Sequence, residues 1–189
     1  MDKKQVAVFG GGCFWCTEAI FRGLKGVTSV TPGYAGGAPA GNPPDSRPTY
    51  EEVCTGKTGH AEVIKIEFDP DKISYVDLLA VFFATHDPTT LNRQGDDVGE
   101  QYRSVILYAD ENQKAAAESF IAELEKSSSE EGRIVTEVKP LKEFYEAEEY
   151  HQDYYRKNRS APYCQVIINP KLRKAQEKFA KLLKNEDLA

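Results

Sequence analysis

The 189-residue sequence contains no apolar run approaching the roughly 18 residues of a membrane span. It has no cationic excess: 24 Lys and Arg face 30 Asp and Glu, a formal net charge of −6, which argues against nucleic acid as a partner. No signal-peptide pattern precedes the first apolar run, because Met1-Asp2-Lys3-Lys4-Gln5 leads straight into it. A reducing cytoplasm is therefore the expected compartment, where thiols serve redox or catalytic roles more readily than structural disulfides. There are no internal repeats and no linker, so one domain over residues 1–189 is expected. The four cysteines lack zinc spacing: Cys13-x-x-Cys16 has no second C-x-x-C or H-x-x-x-H pair, and Cys54 with His60 fits poorly. No metal and no cofactor are expected.

What is present centres on Gly10-Gly11-Gly12-Cys13-Phe14-Trp15-Cys16. Val6-Ala7-Val8-Phe9 before it reads as a strand, and Thr17 to Leu24 after it as a helix. Three glycines turn the chain between them and set Cys13 at the helix entrance. Free N–H groups and the helix dipole favour an anion there, and the thiolate is the reactive form of cysteine. A buried, inert cysteine is the plainer alternative.

Further along, Thr28 to Thr31 reads as a strand and Pro32 to Pro44 as a long, turn-rich loop. Glu62 to Phe68 alternates as a strand, which gives Glu62 the parity of Ile64, Ile66 and Phe68. On that apolar side a carboxyl group tends to keep its proton. Ser74 and Asp77 make a capping box for a helix ending near His86, and Thr89 to Tyr102 reads as loop. Val105–Tyr108 is a strand, Asp110 and Gln113 cap a helix running to about Lys126, and residues 127–132 read as an exposed connection. Ile134–Val138 and Gln165–Ile168 read as strands, and Asn169-Pro170 as a helix start with Asn as its cap. The tyrosines between Glu143 and Tyr155 have the helical spacing of a half-buried face. His60, His86 and His151 stay open as bases. The mixture of short strands and helices predicts one α+β domain of layered α/β character.

Several of these stretches together resemble peptide methionine sulfoxide reductases of the A type. They are Gly11-Gly12-Cys13-Phe14-Trp15, Pro32-Gly33-Tyr34-Ala35-Gly36-Gly37, Pro48-Thr49-Tyr50-Glu51-Glu52-Val53-Cys54-Thr55-Gly56, Thr58-Gly59-His60-Ala61-Glu62 and Arg93 to Ser104. His86-Asp87-Pro88 and His151-Gln152-Asp153-Tyr154 extend the likeness, which spans residues 5 to 170. The resemblance implies a two-layer α/β sandwich with a mixed sheet and a ferredoxin-like core. It also implies reduction of the S epimer of methionine sulfoxide, free or in oxidised proteins, by a monomer. Cys13 would be the nucleophile and Glu62 the acid facing the sulfoxide oxygen. Tyr50 and Tyr102 would bond that oxygen, Asp97 would help hold the substrate, and Phe14 and Trp15 would receive the S-methyl group. The chemistry fits, because the oxygen must gain a proton as the thiolate attacks sulfur. Cys13 would become a sulfenic acid, a second thiol would close a disulfide, and thioredoxin or a similar dithiol would reopen it.

The sequence departs from the family at the second thiol. Many members have glycine where this chain has Cys16, and resolve with cysteines in a glycine-rich C-terminal tail. Cys164 lies near such a position, ahead of an apolar run. Position favours Cys164 as the resolving thiol; a Cys13–Cys16 bridge across a helical turn would need distortion. Cys54 reads as structural. The alternatives are a thioredoxin-like dithiol–disulfide oxidoreductase using Cys13 and Cys16, and a domain that only binds methionine sulfoxide.

Overall fold

The computed structural model describes residues 4–37, 47–127 and 133–184. The expected loop over 38–44 and the connection over 128–132 lie outside the described residues. The chain runs β1 (Gln5–Gly11), α1 (Phe14–Arg22), β2 (Val27–Ala35), α2 (Tyr50–Cys54), β3 (Ala61–Phe68) and α3 (Tyr75–Thr85). It continues through a small hairpin of β4 (Arg93–Gln94) and β5 (Asp97–Val98), then β6 (Ser104–Tyr108) and α4 (Glu111–Ser127). Last come β7 (Glu137–Pro140), β8 (Phe144–Glu146), α5 (Tyr154–Lys157) and α6 (Asn169–Phe179).

The main sheet has the order β7-β6-β1-β3-β2-β8. Only β6 and β7 pair in parallel, so the sheet is mixed. Within it, β1-α1-β2 and β3-α3-β6 interleave as two split βαβ units, the ferredoxin-like arrangement that the resemblance implied. The helices cover one face. Phe9, Ile64, Ile66, Phe68 and Ile106 point into that layer and meet Phe21, Leu78 and Phe82. Full burial of each such side chain contributes roughly 2 kcal/mol. The other face buries a smaller set, Val8, Ala35, Ala61, Val63, Val105 and Leu107. No helix among the described residues is long and apolar enough to cross a membrane.

The Ser74/Asp77 capping box forms as expected, with Asp77 N–H donating to Ser74 Oγ at 3.1 Å and Ser74 N–H to Asp77 Oδ2 at 3.0 Å. Several expectations are corrected. Helix α1 begins at Phe14, not Thr17. Residues 32–35 are strand, not loop: Pro32 pairs opposite Ile64, and its missing N–H lies past the end of the β8 ladder, which starts at Gly33. The Thr89–Tyr102 segment holds the β4–β5 hairpin and a 3-10 turn over Glu100–Tyr102. The strand expected at Ile134–Val138 begins only at Glu137. The tyrosines of 143–155 lie on β8, a 3-10 turn and α5, not on one helix. Gln165–Ile168 is not a strand. Cys164–Ile168 is a π-helical turn that runs directly into α6, so Asn169 does not cap a helix; its side chain accepts from Tyr155 Oη at 2.7 Å.

Candidate active site

The site is built where β1 ends beneath the sheet's helical layer. Gly12 turns the chain with φ +89°, a conformation that side-chain-bearing residues rarely adopt. A Cβ there would meet the Gln94 side chain at 2.6 Å, and one on Gly10 would meet the Glu62 carbonyl oxygen at 2.9 Å. These close approaches place Cys13 at the entrance of α1 beside the start of β3.

Glu62 lies on the helix-facing side of β3, as its parity predicted, and is 2 % exposed. Its Oε2 accepts the Phe14 backbone N–H at 3.0 Å. The first free donor of α1 is thus given to the carboxyl rather than to the Cys13 sulfur, which makes no side-chain cap. Burial nevertheless dominates and pushes the Glu62 pKa up to about 8. The carboxyl is therefore largely protonated at neutral pH.

Cys13, Cys16 and Cys164 form one buried cluster, with Ile168 among them. The Cys13 thiol donates to the Cys16 sulfur, and this contact, with burial and the neighbouring Glu62, holds Cys13 well above its ordinary pKa. The same hydrogen bond lowers Cys16 to about 7, helped by the Lys171 ammonium and the Tyr163 hydroxyl. The thiols thus behave as a pair that gives up its first proton near neutrality and its second with difficulty. The sequence pointed to Cys13 as the easier thiolate; the structure pairs its thiol with that of Cys16, so the two sulfurs share that first ionisation. The Tyr163 hydroxyl lies 3.8 Å from the Cys16 sulfur and donates to Asp97 Oδ2 at 3.5 Å. Burial and the nearby Cys16 thiol raise the Cys164 pKa.

The other expected residues converge on this point. Tyr50 and Tyr102 share a hydrogen bond through their hydroxyls. Both feel the Glu62 charge, and burial first of all raises them, Tyr102 to about 12. Asp97, on β5, is raised by burial and acts electrostatically on Glu62. Tyr50 is carried by the short helix α2, whose Tyr50 N–H is held by Glu148 Oε1 at 2.9 Å. Phe14 is fully buried against Tyr34 and His151, whereas Trp15 is half-buried. The Trp15 ring stacks on Tyr154 at 3.5 Å and donates its N–H to His151 Nδ1 at 3.0 Å.

Of the three histidines, His60 and His86 are occupied away from the thiols, whereas His151 packs against Phe14, Trp15 and Tyr50 of the site and its buried Nε2 has no hydrogen-bond partner among the described residues. His60 Nδ1 accepts from Gly37 N, His151 holds Trp15, and His86 spans the Phe82 carbonyl and Ser104 Oγ, its pKa pushed down to about 4 by burial. Cys54 is exposed at the end of α2 and neighbours Tyr50; burial of its sulfur raises its pKa. Tyr163, Lys171 and Glu148 were missed as site residues: their interactions with Cys16, Cys16 and Tyr50 cross 147, 155 and 98 residues of sequence, and no local pattern signals them. Among the described residues, no group of three or more His, Cys, Asp and Glu could hold a metal ion. Chemically, the arrangement offers a sulfur nucleophile, a protonated acid, two phenolic donors and two further thiols in one place.

Residues 5–183 match the family model described as peptide methionine sulfoxide reductase. A relative named peptide methionine sulfoxide reductase MsrA from Acinetobacter baumannii is 56 % identical over 181 residues, covering 96 % of this chain and 99 % of its own. One of the same name from Sulfolobus acidocaldarius is 54 % identical over 175 residues, covering 93 % and 95 %. Among solved structures, reduced Mxr1 from Saccharomyces cerevisiae superposes with a TM-score of 0.78 at 34 % identity, over 86 % of this chain and 90 % of that one.

Proposed function

The chain belongs to the peptide methionine sulfoxide reductase family, and from that premise we propose how its residues reduce the S epimer of methionine sulfoxide, free or in oxidised proteins. Cys13 attacks the sulfoxide sulfur after its proton passes along the S–H···S contact to Cys16. Glu62 gives its proton to the sulfoxide oxygen, while Tyr50 and Tyr102 donate hydrogen bonds to it. Asp97 helps hold the substrate, and Trp15 with Phe14 beneath it receives the S-methyl group. Methionine leaves reduced by two electrons, and the oxygen remains on Cys13 as a sulfenic acid. The observation that carries this reading is a buried carboxyl, held protonated to about pH 8, at the helix entrance beside a thiol pair.

Cys16 then attacks the Cys13 sulfur, forming the disulfide and releasing water. The objection to a bridge across a helical turn weakens, because Cys13 precedes the helix with ψ 123° and only Cys16 lies within it. Cys164, buried against the same pair, next attacks Cys16, which frees the Cys13 thiolate and leaves a Cys16–Cys164 disulfide. Thioredoxin or another dithiol reopens that bond. One domain over 1–189, acting as a monomer in a reducing compartment, suffices for this cycle.

The test is to incubate the purified protein with each epimer of a blocked methionine sulfoxide, without reductant, and to count methionine per enzyme while mapping disulfides by mass spectrometry. Two equivalents from the S epimer alone, with a Cys16–Cys164 bond, are expected, and Cys164→Ser should stop at one with a Cys13–Cys16 bond. One equivalent with a Cys13–Cys164 bond would make Cys164 the direct resolver. No methionine from either epimer would overturn the reaction.

A further inference from the structure

The last described helical segment is basic on an acidic chain. Residues 169–184 carry Lys171, Arg173, Lys174, Lys178, Lys181 and Lys184 against the single carboxylate Glu177, while the chain's net charge is −6. Lys171, Lys174, Lys178 and Lys181 recur at intervals of three, four and three, which sets them on one side of α6 and the turn after it. The apolar residues Leu172, Ala175 and Phe179 take the opposite role and pack on the core. None of the ion pairs among the described residues involves a cation of this segment. Like charges at helical spacing repel, so the stripe works against its own helix, and an anionic partner would relieve that repulsion.

Lys174 and Lys178 line a cleft of about 680 Å³ whose far side carries Arg133, Asp87 and Glu125. Asp87 closes toward the active site: its N–H and carbonyl hold the Gln94 side chain, the group against which Gly12 packs. Helix α6 itself continues the turn that carries Cys164. The three clustered thiols are no more than 8 % exposed, so a protein reductant reaches them only by engaging the surrounding surface. From Lys171 to Lys181 the stripe spans about 15 Å, within the ~800 Å² that one partner typically covers.

We propose that the lysine stripe of α6, with Arg133 across the cleft, is the docking surface for an acidic dithiol protein that reopens the enzyme's disulfide. This rests on the dithiol recycling described above. The mixed lining, with Asp87 and Glu125 among the cations, suits a folded protein of mixed surface charge and acidic excess better than the uniformly anionic backbone of a nucleic acid. In the exchange, a reductant thiolate attacks one enzyme sulfur to form a mixed disulfide and frees the other. The reductant's second thiol then closes its own disulfide and releases the enzyme's remaining thiol. Two electrons and two protons pass to the enzyme.

The test compares recycling by an acidic thioredoxin with recycling by dithiothreitol, in the wild type and in K174E/K178E, at low and high salt. With thioredoxin, kcat/KM should fall about tenfold in the variant, and about tenfold in the wild type between ~20 and ~300 mM salt. With dithiothreitol, both proteins should stay within about twofold throughout. Thioredoxin rates indifferent to salt and to charge reversal would overturn the proposal, as would parallel losses with both reductants. Loss of single-stranded RNA binding in the variant with unchanged thioredoxin rates would overturn it in favour of a nucleic-acid surface. A wild type that forms methionine with dithiothreitol but never with thioredoxin would remove the protein reductant itself, leaving the sulfoxide chemistry intact.

Discussion

In the proposed reaction Glu62 acts as an acid inside a core, and its two roles oppose each other. A carboxyl whose folded pKa lies above its unfolded one binds its proton more tightly in the folded protein. Its contribution to stability is full below about 4.5 and is lost as pH rises to about 8, at most about 5 kcal/mol. Glu62→Gln removes the titration while keeping the shape. Denaturant melts should show the wild type losing stability from pH 5 to pH 8 and the variant losing much less, so that the variant is the more stable at pH 8. Methionine formation should fall by about a hundredfold or more. The wild-type activity should rise with pH through about 7, as the thiol pair ionises, and decline above about 8, as Glu62 loses its proton. Equal pH slopes of stability in the two proteins would mean that Glu62 is not the titrating group. At this scale the strand's alternation alone pointed to Glu62, because parity is a local property. Tyr163 and Lys171 could not be found that way: what matters about them is a contact across 147 residues in one case and a charge across a helix packing in the other.

Among elements, the order strand, glycine turn, helix was readable because each part follows from residues next to it, but its bounds were not: Gly10 and Gly11 pair within β1, and Gly12 alone turns the chain into a helix that starts at Phe14. The consequence of that turn is specific. Gly12 sits at φ +89° and a Cβ would press on Gln94, whose amide is pinned at both ends by the Asp87 backbone at 3.0 and 3.1 Å. Gln94 therefore cannot swing aside cheaply. Gly12→Ala should cost about 2–3 kcal/mol, seen as a fall in melting temperature of roughly 4–12 °C. It should also lower kcat/KM about tenfold or more, since Cys13 is the next residue and small displacements of a nucleophile are expensive. A variant with wild-type melting and activity would show that the turn tolerates a side chain. The run Gln165–Ile168 misled for a physical reason: four residues, three of them apolar, are too few to display a period, and the strand reading competed equally with a helical one. The outcome was decided by packing, in that Cys164 and Ile168 both need to face the thiol cluster, and a π-helical turn puts them there.

For the whole molecule, the order of the sheet came from the resemblance and not from any pattern in the residues, since periodicity says which face is buried and not which strand lies beside which. Arg103 shows what holds that order around the site. Its buried guanidinium donates to the carbonyls of Glu100 at 3.0 Å and Gly59 at 3.0 Å, more weakly to Gly36 at 3.5 Å, and pairs with Glu137 at 3.2 Å. One side chain thereby ties the end of β2, the approach to β3, the turn bearing Tyr102, and β7. The acid and a phenol of the site are thus indexed to each other through it. A lysine keeps the charge but offers no planar fork, so it can satisfy only part of this set and leaves buried carbonyls without donors. Arg103→Lys should cost about 2–4 kcal/mol and lower the melting temperature by roughly 5–15 °C. Arg103→Met, which preserves the apolar stem, should be about as damaging, because Glu137 retains Lys139 at 2.9 Å and the loss falls on the carbonyls in both variants. Calorimetry on the pair decides the matter: if lysine restores wild-type melting, the charge of Arg103 and not its geometry holds these segments together.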